Sequence, residues 1–243
     1  GSDTQMVQFI NELKSGKVDA AIFMDANPVY DLPNGSELAE ALIKVRTSVS
    51  FADRIDETAA TCKYVAPAPH YLESWGDAEP VSGSFSLVQP TISPIFNTRQ
   101  SQSSLLTWAG LNSDFQAYLK ANWKSNILTG KSWISALHDG VFESGISSEG
   151  IVSFNGDLNS SASKALTVST SGLEVSVFET VALGNGSQAN NPWLQEMPDP
   201  ITKVTWENTL AISQKTANEL GLAKGDWAEL ASGNAKIELP III

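Results

Sequence analysis

The chain is poor in the residues that hold metals and cross-links. Among its 243 residues there is one cysteine, Cys62, and there are two histidines, His70 and His138. A single cysteine excludes an internal disulfide and any all-cysteine metal or cluster site within the chain. Neither histidine stands at metal-ligand spacing from a second one. Basic charge is scarce as well: 15 Lys and Arg face 27 Asp and Glu, for a net charge of −12 and a pI near 4.5. Arg46, Arg54 and Arg99 are the only arginines. Nucleic acid rewards clustered Lys and Arg, so no nucleic-acid partner is expected, and the excess of carboxylates reads as solubility. No apolar run approaches the roughly 20 residues of a membrane-spanning helix. The first residues lack a signal-peptide pattern. There is no G-x-G-x-x-G and no G-x-x-x-x-G-K-[ST] to cradle a nucleotide phosphate, and no internal repeat.

What is present is an ordinary core-forming composition. Hydrophobic residues make up 42% and charged residues 17%, which belongs to a folded chain of one large or two ordinary domains. Residues 1 to about 70 read as alternating helices and strands. Asp3 can cap a helix running to about Ser15, with Met6, Phe9, Ile10 and Leu13 at helical spacing, and Gly16 ends it. Ala20 to Met24 is a continuous apolar run, as expected of a parallel strand buried on both faces. Asp25-Ala26-Asn27-Pro28 follows at the strand's C-terminal end, where open α/β sheets place their ligand loops. Ser36 is positioned to cap a helix through Leu42 and Ile43. Ser48 to Ala52 predicts a second strand, Asp56-Glu57-Thr58 opens a short helix, and Tyr64 to Ala66 a third strand stopped by Pro67. The fold class this defines is α/β, a parallel sheet with helices on both faces.

The middle of the chain carries helical spacing at Ser104 to Leu111, Phe115 to Trp123 and Trp133 to Leu137. Glu143 to Ser163 is Ser- and Gly-rich and reads as loop. Ala165 to Val168 and Leu173 to Phe178 read as strands. The C-terminal stretch is more structured. Val204, Trp206, Leu210 and Ile212 suggest a half-buried strand, and Ser213 caps a short helix with Ala217 and Leu220 on its buried side. Gly221 ends that helix, Lys224-Gly225-Asp226 turns, and Trp227 to Ala231 and Ala235 to Leu239 form a hairpin across Ser232-Gly233-Asn234. A helix of one and a half turns covers no sheet, so this reads as the corner of a small barrel.

The run W-E-N-T-L-A-I-S-Q-K-T-A-N-E-L-G-L-A-K-G-D-W-A-E-L (Trp206 to Leu230) resembles the opening of the last domain of the molybdopterin oxidoreductases, the dimethyl-sulfoxide-reductase superfamily. In that family the domain is a double-psi β-barrel that binds the nucleotide ends of the pterin cofactor. The sheet half resembles the family too, through A-I-F-M-D-A-N-P, then S-V-S-F-A-D, then D-E-T-A-A-T-C-K-Y-V-A-P. Glu73 to Asp77, Ser86 to Pro90 and the N-N-P-W-L-Q-E-M-P-D-P run from Asn190 to Pro200 look like one branch in particular. That branch is the molybdopterin-like iron–sulfur subunit of alternative complex III, a bacterial quinol-oxidising membrane complex. The resemblance thins between about 100 and 185.

The resemblance implies a division into an α/β molybdopterin-oxidoreductase-like domain over 1–185, a connector over 186–203 and a truncated dinucleotide-binding-like barrel segment over 204–243. It implies a fragment of an oxidoreductase subunit that gives structural support to electron transfer and is inactive alone. A fragment of a true bis-molybdopterin-guanine-dinucleotide molybdenum enzyme is the alternative, and a small-ligand binding module a third reading. Partners would be the other subunits of a membrane-bound respiratory complex, at the periplasmic face of the inner membrane. The superfamily's cofactor is molybdopterin guanine dinucleotide and the parent chain would carry iron–sulfur clusters; this segment is expected to hold neither, having no cluster cysteines and no molybdenum ligand. Cys62 does not match that ligand and reads as a buried structural thiol. The family pattern places Asn27, Pro28, Asp53, Glu57 and Thr58 near the pterin pocket, where a strand-end loop and a helix N-terminus can offer N–H groups to a phosphate. The acidity of that pocket and the competing role of Asp56 as a helix cap argue the other way. With too few strands to close a barrel, Trp206 and Trp227 are expected to gain cover through Trp193 and Leu194 against the sheet domain, or from a second copy.

Overall fold

A computed structural model of the chain describes residues 3–145, 155–166, 172–233 and 235–243. The chain divides into two compact units, Gly1–Ser153 and Phe154–Ile243.

The first unit opens as its periodicity predicts. Helix α1 (Asp3–Lys14) ends in the left-handed Gly16 and leads to strand β1 (Ala20–Phe23). A four-residue helix α2 (Pro28–Asp31), read as loop in the sequence, precedes α3 (Gly35–Leu42). Strand β2 (Thr47–Ser50), helix α4 (Glu57–Thr61) and strand β3 (Tyr64–Val65) complete a parallel sheet in the order β1-β2-β3. The register sets Ala20 beside Thr47 and Phe23 beside Ser50, and Ser50 beside Val65. Ile10, Leu13, Ala21, Phe23, Leu38 and Leu42 form the core beneath it. Two expectations change here. Helix α3 starts two residues earlier than the Ser36 cap predicts, with Asn34 at its cap position. And β1 is buried on one face only, since Ile22 is 48% and Met24 41% exposed; an unbroken apolar run cannot tell a doubly covered strand from a singly covered one.

The rest of this unit holds a second sheet that the periodicity did not reveal. Strands β4 (Gly76–Val81) and β5 (Ser84–Val88) form a hairpin, and β6 (Val141–Glu143) pairs antiparallel with β5. In S-F-S-L-V the residues alternate, with Phe85 and Leu87 packed on the core, but the run is short and its partner G-D-A-E-P-V is mostly polar and contains a proline. The intervening helix α5 (Ser101–Trp108) starts and ends three residues before the stretch expected at Ser104 to Leu111, while α6 (Phe115–Asn122) and α7 (Trp133–Asp139) match the expected spacing. Asp114 and Ser132 cap α6 and α7 by accepting from Ala117 N and Ser135 N, and the left-handed Gly140 ends α7. Between α6 and α7 lies a π-helical turn, Trp123–Ile127. Trp123 is fully buried, edge-on to Phe85 and Trp133 at 6.2 and 6.0 Å, and its indole N–H donates to Asp77 Oδ2 at 2.8 Å.

The second unit departs further from expectation. Helix α8 (Leu158–Leu166) occupies residues read as the end of a loop and the start of a strand. The strand expected at Ala165 to Val168 therefore begins in helix, and its last two residues lie outside the described ones. Leu173 to Phe178 forms no strand and has no pairing strand among the described residues; β-branched composition favours a strand only where a neighbour supplies the hydrogen bonds. Helix α9 (Pro192–Glu196) is capped by Asn191. Only β7 (Leu210–Ala211) survives of the strand expected from Val204, because Trp206 sits at φ 69, a left-handed backbone that ends extended structure. Helix α10 (Gln214–Leu220) has Ser213 accepting from Thr216 N and the left-handed Gly221 after it, as read. Its Ala217 is buried but Leu220 is 56% exposed. Strands β8 (Trp227–Ser232) and β9 (Ala235–Ile242) pair antiparallel, and β9 pairs parallel with β7. The described strands make an open sheet of order β7-β9-β8. In the single chain Trp206 and Trp227 are 54% and 61% exposed.

Candidate functional site

The two segments singled out in the sequence meet at the C-terminal ends of β1 and β2. Asn27 is the centre. Its Oδ1 accepts from Thr58 N at 3.1 Å and from Thr58 Oγ1 at 2.7 Å, and its Nδ2 donates to Glu57 Oε2 at 2.7 Å. The Thr58 hydroxyl in turn accepts from Val29 N at 3.1 Å. Thr58 is fully buried and Pro28 is buried, while Asn27 is half-buried and Glu57 exposed. Each short helix thus has a partner's side chain on its first turn: Asn27 caps α4 and Thr58 caps α2. Asp56 adds the conventional cap of α4, accepting from Ala59 N at 2.7 Å.

Close packing holds the arrangement. A Cβ on Gly35, the first residue of α3, would stand 2.0 Å from the Val29 carbonyl oxygen, so only glycine lets α3 approach α2 this closely. Of the five residues proposed for the site, Asn27, Pro28, Glu57 and Thr58 come together. Asp53 is taken up by Arg54, whose guanidinium donates from Nε at 2.9 Å and from Nη2 at 3.2 Å; that hydrogen bond raises the Arg54 pKa. The Asn27 amide holds the Glu57 carboxyl below its ordinary range, helped by Glu57's own backbone N–H. Val29 and Gly35, which complete the joint, were not singled out from the sequence. The adjacent P-V-Y-D turn, with Pro at its first position, was the signal for α2.

A pyrophosphate needs free donors and positive charge, and this strand-end cluster offers neither. In the first turn of α4 the Glu57 amide faces its own carboxylate, Thr58 N is bound by Asn27, and Ala59 N by Asp56. In α2 the first residue is a proline without an N–H, and Val29 N is bound by Thr58. The ionisable side chains at the start of α4 are Asp56 and Glu57, and the guanidinium of Arg54 is engaged by Asp53. These residues do not fit the phosphate-bearing part of a dinucleotide.

The two histidines and the cysteine make local contacts. His70 Nδ1 accepts from Leu72 N at 3.3 Å while Glu73 Oε2 accepts from His70 N at 3.1 Å, a reciprocal cap. His138 lies in the last turn of α7 beside Asp139, at 3.0 Å. Burial pushes the Cys62 thiol up, and the residue packs on the core as a partly buried thiol. Among the described residues no group of three or more His, Cys, Asp and Glu is arranged to hold a metal ion.

The parallel sheet of the first unit gathers its loops at the strand ends, where open α/β sheets carry their ligand loops. Residues 1–103 match the family model for molybdopterin oxidoreductase, so the resemblance carried by the A-N-P and D-E-T-A motifs holds. A curated relative, the menaquinone reductase molybdopterin-binding-like subunit of Nitratidesulfovibrio vulgaris, is 29% identical over 251 residues that cover 95% of this chain. The chain spans 35% of that relative's length. Among solved structures, acetylene hydratase from Pelobacter acetylenicus is similar with a TM-score of 0.62 and 16% identity, over 97% of this chain and 37% of that one. At that identity the likeness speaks for the fold alone.

Proposed function

We propose that this chain is part of a molybdopterin-oxidoreductase-like subunit in a membrane-bound quinone or quinol oxidoreductase of the alternative complex III type. Its role there is to support an electron-transfer module, and it performs no redox step itself. The observation that carries this reading is the mutual capping of Asn27 and Thr58. It turns the family's strand-end pocket into a joint whose donors are spent on one another. The relative's printed description, a molybdopterin-binding-like subunit of a menaquinone reductase, agrees with it. We read the segment from Leu210 to Ile242 as the counterpart of part of the family's double-psi barrel, on the strength of its Ser213 cap, Gly221 and K-G-D turn. Partners are then the other subunits of the complex, at the periplasmic face of the inner membrane, with iron–sulfur clusters elsewhere in the parent chain.

Isolating the parent complex from membranes tests this. Co-purifying subunits that include a quinone-reactive membrane component, and less than stoichiometric molybdenum by elemental analysis, are the expected result. A parent that purifies with one molybdenum per chain and its own substrate turnover would instead identify a true molybdenum oxidoreductase.

A further inference from the structure

A second site lies in the same unit, away from the strand-end cluster in sequence and independent of the reading above. Between α6, the π-helical turn and the start of α7 there is a cavity of about 300 Å³. Lys120, Lys124 and Lys131 line it, together with Leu128, Ser132 and Trp133. The concentration of charge is unusual for this chain. The whole protein carries −12, yet residues 115–138 contain three lysines and no carboxylate. All three lysines face one cavity. Only Lys131 has a carboxylate partner among the described residues, Asp139 Oδ2 at 2.6 Å. Lys120 and Lys124 stand four residues apart on consecutive helical turns, a like-charge spacing that costs stability unless an anion relieves it.

The backbone is also out of the ordinary there. The turn from Trp123 to Leu128 closes through Leu128 N donating to Trp123 O at 2.8 Å, a π-type bond. Such turns are rare and concentrate at functional sites. This one has a structural consequence: it lets the fully buried Trp123 keep its place in the core while Lys124 stays exposed and Leu128 reaches the cavity.

We propose that this cavity binds a phosphate group. Its volume is at the small end for ligand sites, which suits a compact anion rather than an extended acidic peptide. Lysine ammoniums bind phosphate as point charges, and a concave site lined by one sign of charge concentrates counter-ions. Leu128 and Trp133 give an apolar wall on which the body of a phosphoester can rest. Two sources share this chemistry, a soluble phosphoester and a phospholipid headgroup.

The test uses the full chain. Inorganic phosphate is titrated at low salt and followed by amide NMR, and sedimentation is measured with vesicles of phosphatidylglycerol in phosphatidylcholine against phosphatidylcholine alone. Saturable shifts confined to residues 120–134 identify the soluble source. Vesicle binding without such shifts identifies the lipid source. In either case Lys120→Gln with Lys124→Gln weakens binding by about tenfold or more, the loss expected for charge-assisted contacts. Lys120→Arg with Lys124→Arg retains binding, as does Lys215→Gln with Lys224→Gln, which removes the same charge from the second unit. The proposal is overturned by no saturable binding to either probe, by shifts centred elsewhere, or by equal weakening in the Lys215/Lys224 variant.

Discussion

Asn27 and Thr58, thirty-one residues apart in sequence, cap each other's helices. The Asn27 carboxamide oxygen takes both the amide and the hydroxyl of Thr58, and the Thr58 hydroxyl takes the amide of Val29. A residue that serves as both donor and acceptor at a buried position is hard to replace, because each lost bond strands a polar group.

Thr58→Val therefore destabilises the first unit by about 2 kcal/mol or more, since it leaves Val29 N–H and one lone pair of Asn27 without partners. Thr58→Ser, which keeps the hydroxyl, costs well under that. Hydrogen exchange at the Val29 and Thr58 amides reads the effect locally in a chain of two units. A double-mutant cycle with Asn27→Ala gives a coupling of about 1 kcal/mol; additivity would show that the two caps are independent.

Gly35→Ala loses more through its clash than it gains in helix propensity. The added Cβ meets the Val29 carbonyl oxygen at 2.0 Å, and forcing backbone apart in a packed joint costs about 1–3 kcal/mol. The expected readout is a lower urea midpoint together with faster exchange at Val29. An unchanged midpoint would mean that α2 and α3 can separate freely.

The pH dependence follows from Glu57. Its folded pKa is depressed, first by the Asn27 amide and then by its own backbone N–H. A depressed carboxyl contributes stability that is present above its unfolded pKa and lost as pH falls through the folded one. The joint is thus expected to loosen on acidification below the ordinary carboxylate range, seen as faster exchange at Thr58. Glu57→Gln keeps an acceptor for Asn27 and flattens this dependence. Glu57 is exposed, so the effect is small and weakens with added salt.

Trp123 anchors the antiparallel sheet of the first unit to α6 and α7. Trp123→Ala leaves a large void and costs about 3–5 kcal/mol. Trp123→Phe keeps most of the packing, loses the bond to Asp77 and costs less; its marker is a change in the near-ultraviolet circular dichroism from the Trp123–Trp133 pair. If Trp123→Phe matched Trp123→Ala in severity, the Asp77 bond rather than packing would dominate.

Local chemistry was legible wherever it was enough to decide the outcome. The caps Asp56, Asp114 of α6, Ser132 and Ser213, and the stops Gly16, Gly140 and Gly221, act through bonds to backbone within a few residues, so a sequence either provides them or does not. The alternation of apolar helices and strands over the first 70 residues, with its Asn-Pro loop and E-T-A helix, determined the parallel sheet and the family resemblance. What the tertiary structure alone decided are relations between distant segments. Whether Ile22 is covered depends on what lies across the sheet. Whether G-D-A-E-P-V is a strand depends on S-F-S-L-V folding back on it. Whether Leu173 to Phe178 becomes a strand depends on a partner's hydrogen bonds. The same holds for the candidate site: the family resemblance implied one neighbourhood for Asn27 and Thr58, but only the folded chain showed that they satisfy each other. A side chain's hydrogen-bonding capacity is written in its identity, whereas the partner that uses it is chosen by packing.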